Sequence, residues 1–287
     1  MERALCTFPG KFGDILWSLP TARFLAQHVY GGRVDFAVMP YYESLIPMLE
    51  AQKYIGRAFV IPEWLRTHSN YGDQPWTSPR QEGYEFQVDL GYRSHPGTPF
   101  GNPNISLLEF VASQQGINLG PESQLPFLQA SAEDKFQYAT KKPYVAYSFN
   151  DQYVGEKEIF LQQLRDQLAD MGIPLVDTTS ISWLQALTAI DGAALYVGDR
   201  SSNWVLAAGM DKVCITYEPH PSRHQAGPLG QVFGYHHAKE RAVPFGMPPE
   251  VAGKTAAGLV QHQLEQRERM EIGVEDVGSV SDILGTL

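Results

Sequence analysis

The sequence predicts two tandem α/β units, each a parallel sheet with helices on both faces, from three observations. Short apolar runs alternate with helical periodicity from the first residues, the alternation resumes after a polar, proline-bearing stretch, and the strand candidates are mostly apolar, as strands covered on both faces are. A chain of 287 residues accommodates two domains or one large one.

The elements follow in order. Residues 3–8 form a β-type run that ends at Pro9-Gly10, and helical spacing begins at Asp14 with Ile15, Leu16, Leu19, Ala22, Ala26 and Val29. Pro20 falls inside that pattern and is expected to kink or divide the helix, because it lacks an amide hydrogen and its ring crowds the preceding turn. Gly31-Gly32 ends the helix, residues 34–39 read as a strand, and residues 41–49 read as a short helix. Residues 59–61 and 84–90 are further strands, separated by a long loop whose Trp64, Tyr71 and Trp76 serve either a ligand or surface packing. A second irregular segment, 91–104, leads into a helix over 105–115, and the polar stretch 116–142 marks the junction, placed near residue 130.

Beyond it the series is strand 144–149, helix 158–171, strand 174–177, helix 183–190, strand 194–197, helix 202–208 and strand 212–217. Residues 251–270 are helical in composition, whereas 271–287 show weak periodicity and are expected to fray. The expected units are therefore 1–130, 131–248 and a terminal helix and tail over 249–287.

Charge narrows the function classes. Lys plus Arg number 22 against 32 Asp plus Glu, a formal net charge of -10, and the three regions carry -3, -3 and -4, so no region is basic. Nucleic-acid binding is disfavoured, and any phosphate must be held by a few local donors and by helix N-termini. Cys6 and Cys214, the two cysteines, both sit in strand-like apolar runs, which suits buried thiols better than a disulfide. The first residues contain no long apolar run and no 18-residue apolar stretch follows, so a cytoplasmic protein with at most peripheral membrane contact is expected.

Two constellations carry candidate chemistry. In the first, Pro9-Gly10-Lys11-Phe12-Gly13-Asp14, a strand hands over to a helix, where open α/β sheets bind ligands. Gly10 and Gly13 permit close approach to a ligand, and the helix start offers unpaired amides. The spacing is not the dinucleotide fingerprint, although Asp35 lies near the offset of that fingerprint's ribose-binding acid. Asp14 has two readings, a helix cap or a general base at the mouth of a cleft; Lys11 is either a solvent-facing residue or a cation that neutralises a ligand oxyanion.

The second constellation runs from Leu195 through Gly198-Asp199-Arg200-Ser201-Ser202 to Trp204, again a strand, a turn and a helix start. Ser201 or Ser202 is the N-cap, beside a possible diphosphate that Arg200 clamps; the bland reading is capping and a surface arginine. The turn after the next strand, 217–224, offers Glu218 as an acceptor for sugar hydroxyls and Arg223 as a phosphate contact. His220, His224, His236 and His237 match no ordinary zinc spacing, and no paired-carboxylate motif marks a metal site, so no metal or resident cofactor is expected.

The segments FPGKFGDILWSLPTARFLA and ALYVGDRSSNWVLAAGMDKVCITYEPHPSR, with the tandem α/β pattern, resemble the ADP-heptose:lipopolysaccharide heptosyltransferase family of GT-B glycosyltransferases. Gly10, Gly13, Asp14 and Pro20 occupy the positions of that family's Gly-x-x-Gly-Asp turn and internal proline; Gly198, Ser201, Ala207 and Ala208 fit its second signature, and residues 218–221 its final turn. Arg200 stands where the family has Asp and Val205 where it has His, while Lys157 is the substitute for a family lysine after the first strand of the second unit. The resemblance implies two Rossmann-like domains around a cleft, Asp14 as the general base, acceptor binding on the first domain and nucleotide binding on the second.

The expected activity is inverting transfer of a sugar from a nucleotide diphosphate sugar to a hydroxyl of a glycan or small-molecule acceptor. The alternatives are a noncatalytic nucleotide- or sugar-binding protein on the same frame and, weakened by the missing fingerprint, a dinucleotide oxidoreductase.

Overall fold

The computed structural model describes residues 3–9, 11–64, 78–91, 107–120, 124–130, 143–150, 154–219, 239–244 and 246–275. The first sheet holds β1 (Ala4–Thr7), β2 (Val34–Val38), β3 (Ile55–Val60) and β4 (Phe86–Asp89), all parallel, in the order β3-β2-β1-β4. Its helices are α1 (Phe12–His28), the short α2 (Ile46–Glu50) that continues a 3-10 stretch over Pro40–Leu45, and α3 (Leu107–Ser113).

The second sheet holds β5 (Val145–Ser148), β6 (Leu175–Asp177), β7 (Leu195–Gly198), β8 (Cys214–Thr216) and β9 (Glu240–Ala242), parallel in the order β6-β5-β7-β8-β9. Around it lie α4 (Val154–Asp170), α5 (Trp183–Gly192), α6 (Ser202–Gly209) and α7 (Pro249–Glu275). The chain reverses direction across each sheet at one point, between β1 and β4 in the first and between β5 and β7 in the second. Parallel α/β sheets open their ligand crevices at the carboxyl ends of such strands.

Side chains alternate across each strand, and the second sheet uses both faces. Val145, Tyr147, Leu195, Val197 and Ile215 face a core closed by α4 and α7, whereas Ala146, Tyr196 and Cys214 face a core that continues through α5 and α6 into α1 and the first sheet. The helices α1 and α6 run side by side in the same direction. Trp17 meets Trp204 at 6.2 Å between ring centroids, and further along Phe127 packs on Trp17 at 5.9 Å and donates its amide to the Gly209 carbonyl. Phe12 of α1 packs at a tilt on Trp183 of α5, 4.9 Å between ring centroids. Each fully buried ring of this kind contributes about 1.5–3 kcal/mol of apolar burial.

Several expectations are corrected. Pro20 does not divide α1, because the flank from Ile15 to Ala22 is buried without a break and packing holds the helix together across the proline. The strand expected at 59–61 is Ile55–Val60, since Gly56 and Arg57 read as a turn but lie on an exposed stretch of a sheet edge. Residues 240–242, charged and without alternation, form the edge strand β9, which the sequence pattern does not signal. The last helix continues to Glu275 rather than ending at 270, and it packs on α4. Trp64 is buried in the core rather than offered to a ligand; Tyr71 and Trp76 lie outside the described residues, as does the junction near 130 from residue 131 to 142. Cys6 and Cys214 are both buried free thiols on β1 and β8, and burial pushes both thiols up from their ordinary range. Among the described residues no helix is long and apolar enough to cross a membrane.

Candidate functional site

Both sequence constellations lie where a sheet reverses direction. In the first, the N-cap of α1 is Lys11, extended and exposed, whose carbonyl accepts the first helical bond from Ile15 at 2.9 Å and whose own side chain makes no capping bond. Asp14 is the third helical residue and half-buried, so the capping position belongs to Lys11. A carboxylate in the first turn still gains from the helix dipole, about 0.3–1 kcal/mol at an exposed end. Gly10 lies outside the described residues.

In the second, β7 ends at Gly198, which pairs with Ser148 of β5. A Cβ at Gly198 would collide with the Ser148 carbonyl and come within 2.6 Å of the Tyr196 hydroxyl, so only glycine fits. Ser201 is the extended N-cap of α6, as one of the two expected alternatives, but its side chain makes no capping bond. Ser202 opens the helix. Two helix starts then meet: a Cβ built at Gly13 would stand 3.7 Å from Ser202 Oγ and 3.6 Å from Val205 Cγ2. Val205 thus forms part of the contact between α6 and α1.

Beneath the second turn lies a charge network. Lys157 of α4, 5% exposed, donates Nζ to Asp199 Oδ2 and to Asn150 Oδ1, each at 2.6 Å, and the Asn150 amide donates to the same Asp199 oxygen at 2.8 Å. This ties the loop after β5 to the loop after β7 across the reversal point. Arg200 donates Nε to Glu240 Oε1 at 2.9 Å; Thr216 donates to that oxygen at 2.7 Å and receives a bond from Trp204 Nε1 at 3.1 Å. Glu218 is buried, accepts the Arg200 amide at 3.4 Å, and has its carboxyl raised from the ordinary 4.5 by burial above all, with Arg200 opposing and Asp199 and Glu240 adding to the rise.

The structure therefore brings Gly13, Asp14, Ser202 and the turn carrying Arg200 and Ser201 to one place, with Lys11 exposed at its rim. Glu218 belongs to the wall beneath, and Arg223 lies outside the described residues, as do His220, His224, His236 and His237. Among the described residues no three His, Cys, Asp or Glu side chains are grouped to hold a metal ion. Asp35 is not a ribose acid. It sits at the opposite edge of the first sheet, bonded to Arg3, Tyr84 and the Arg57 amide. Sequence reasoning missed Glu240 and the partner of Lys157: Asp199 is 42 residues from that lysine, and Glu240 is 40 from Arg200. The one available signal was a lysine at an otherwise buried spacing of α4.

No family model matches the chain, and no curated protein matches it. Solved structures do match over nearly the whole chain. The glycosyl transferase family 9 structure from Veillonella parvula gives a TM-score of 0.63 at 11% identity, over 92% of this chain and 98% of that one. E. coli ADP-heptose lps heptosyltransferase II gives 0.59 at 13% identity, over 93% and 99%. E. coli heptosyltransferase WaaC with ADP gives 0.53 at 14%, over 91% and 99%. At such identities the likeness is one of fold. The chain has the GT-B architecture, two Rossmann-like α/β/α halves, on which those glycosyltransferases are also built.

Proposed function

We propose that this chain is a metal-independent, inverting glycosyltransferase that moves a sugar from a nucleotide diphosphate sugar to a hydroxyl of a glycan or small-molecule acceptor. The observation that carries this reading is the meeting of two helix starts, Gly13 against Ser202; Asp14 follows Gly13 in the first turn of one, and the first-turn amides of the other suit an anion. The diphosphate lies against the start of α6, held by its free amides, Ser201, Ser202 and the Nη edge of Arg200, while Glu240 fixes that guanidinium through Nε. Glu218 and Arg223 complete the nucleotide side.

In the reaction, Asp14 takes the proton of the acceptor hydroxyl as its oxygen forms a bond to the anomeric carbon. The bond from that carbon to the diphosphate breaks on the opposite face, and its electron pair leaves with the diphosphate oxygen. Charge grows on the leaving group during this step, so the helix-end amides, Arg200 and Lys11 stabilise the transition state more than the ground state. A heptose is the sugar class the resemblance favours. The absence of a net positive field in the first half favours an acceptor less anionic than a lipopolysaccharide core, met in the cytoplasm with at most peripheral membrane contact.

The test pairs titration calorimetry against a panel of nucleotide sugars, ADP-heptose included, with mass-spectrometric detection of product. D14N is expected to lower kcat by about 10²–10⁴-fold while donor affinity stays unchanged. Unchanged turnover in D14N would remove Asp14 as the base. The second reading, a noncatalytic binder, is favoured by the burial of Lys157 in its ion pair, which withdraws that cation from the crevice. It predicts donor binding without product across a broad acceptor set.

A further inference from the structure

A cavity of about 420 Å³ opens at the amino edge of the first sheet, the edge away from the two helix starts. It is bordered by the starts of β1 and β2 and by the turn that follows α1. The setting is unusual for a chain of net charge -10, because two arginines, Arg3 and Arg33, line it against one carboxylate, that of Asp35.

Asp35 has little capacity left. Its Oδ2 receives Arg3 Nη2 at 2.8 Å and the Tyr84 hydroxyl at 2.7 Å, and its Oδ1 receives the Arg57 amide at 2.9 Å. A Cβ at Gly56 would stand 2.7 Å from that Oδ1, so the glycine keeps the carboxylate seated. Burial first, then Asp35, pushes the Tyr84 hydroxyl up to about 12, which keeps it a neutral donor. Asp35 thus acts as an orienter. It holds Arg3 over the Tyr84 ring, 4.8 Å from the centroid, while that side chain stays 55% exposed. Arg33 also lines the cavity, is exposed and has no hydrogen-bond or ion-pair partner among the described residues. Gly31 and Gly32, with φ of 76° and 118°, leave the floor free of side chains, and Tyr30 supplies a flat wall braced by Phe86 at 5.4 Å.

We propose that this cavity binds a small organic anion, its phosphate or carboxylate group set between Arg3 and Arg33 and its ring laid against Tyr30. The volume falls within the roughly 300–1,000 Å³ of small-molecule sites, and guanidinium forks match both oxyanions in bidentate geometry. The site is independent of the transferase reading, since it uses none of the same residues.

Phenyl phosphate and inorganic phosphate are the probes, titrated calorimetrically into the full chain, into R33M, R3K and R200M, and into R33M/R200M and R3K/R200M. The expected result is tighter binding of phenyl phosphate than of inorganic phosphate. R33M should weaken phenyl phosphate at least tenfold and R3K should weaken it less, and each should do so equally when combined with R200M, which removes a clamp of the diphosphate turn. Arg33 is exposed, so an unaltered melting temperature for R33M separates loss of the site from loss of the fold. Equal binding by R33M and the parent, a loss confined to R200M, or no binding of phenyl phosphate each overturns the proposal.

Discussion

The turn entering α1 has an exposed lysine at its N-cap whose side chain makes no capping bond, whereas the turn entering α6 rests on two ion pairs almost closed to solvent. The first carries its charged groups, the exposed Lys11 and the half-buried Asp14, on the helix start itself. The second places Lys157, Asp199, Arg200 and Glu240 beneath the loop, where they set its shape. The difference teaches that matching strand-turn-helix signatures can rest on different supports: one on the helix backbone, the other on buried charge.

Substitutions can break or sharpen this contrast. The largest effect is expected from K157M, which strands the Asp199 carboxylate in the interior and should cost about 3–5 kcal/mol in urea unfolding. The double variant K157M/D199N should recover much of that loss. If K157M unfolds at the same urea concentration as the parent, the second turn is no more dependent on buried charge than the first. Next comes the pair of glycines. G198A forces a methyl onto the Ser148 carbonyl and should cost about 1–3 kcal/mol. G13A meets only ordinary contacts with Val205 and Ser202 and should gain about 0.5–1 kcal/mol from better helix propensity. Equal destabilisation of the two variants by thermal melting would erase the asymmetry.

The smallest effect is a slope. The Glu218 carboxyl is raised above its ordinary 4.5 in the folded protein, so the folded state holds its proton more tightly than the unfolded chain does. Its contribution to stability is therefore greatest below about pH 4.5 and falls as pH rises through the folded value. E218Q should flatten that part of the stability-pH curve, and an unchanged curve would show that Glu218 titrates alike in both states.

Both turns were legible in the sequence because each is local, with an apolar strand, glycines and the start of a helical spacing within about a dozen residues. Their meeting was implied by the resemblance alone, since nothing local joins Gly13 to Ser202. The supports of the second turn were hidden for a physical reason. Lys157 and Asp199 lie on different elements and look like solvent-facing charges until the sheet brings them together, and Glu240 sits on an edge strand too short and too charged to announce itself. Asp35 shows the converse: the right offset from a glycine turn placed it in strand β2, but strand direction put it at the wrong end of the sheet for a ribose.

The apolar layer shared by α1, α6 and the Phe127 segment has a consequence for how the chain can be divided. Neither half owns a finished exterior: separating them would bare Trp17 on one piece and Trp204, Ala207 and Gly209 on the other. Fragments cut after residue 130 should precipitate when expressed alone and regain solubility when produced together. That makes the protein a natural candidate for split-reporter complementation, with the tryptophan pair as its fluorescent gauge of reassembly.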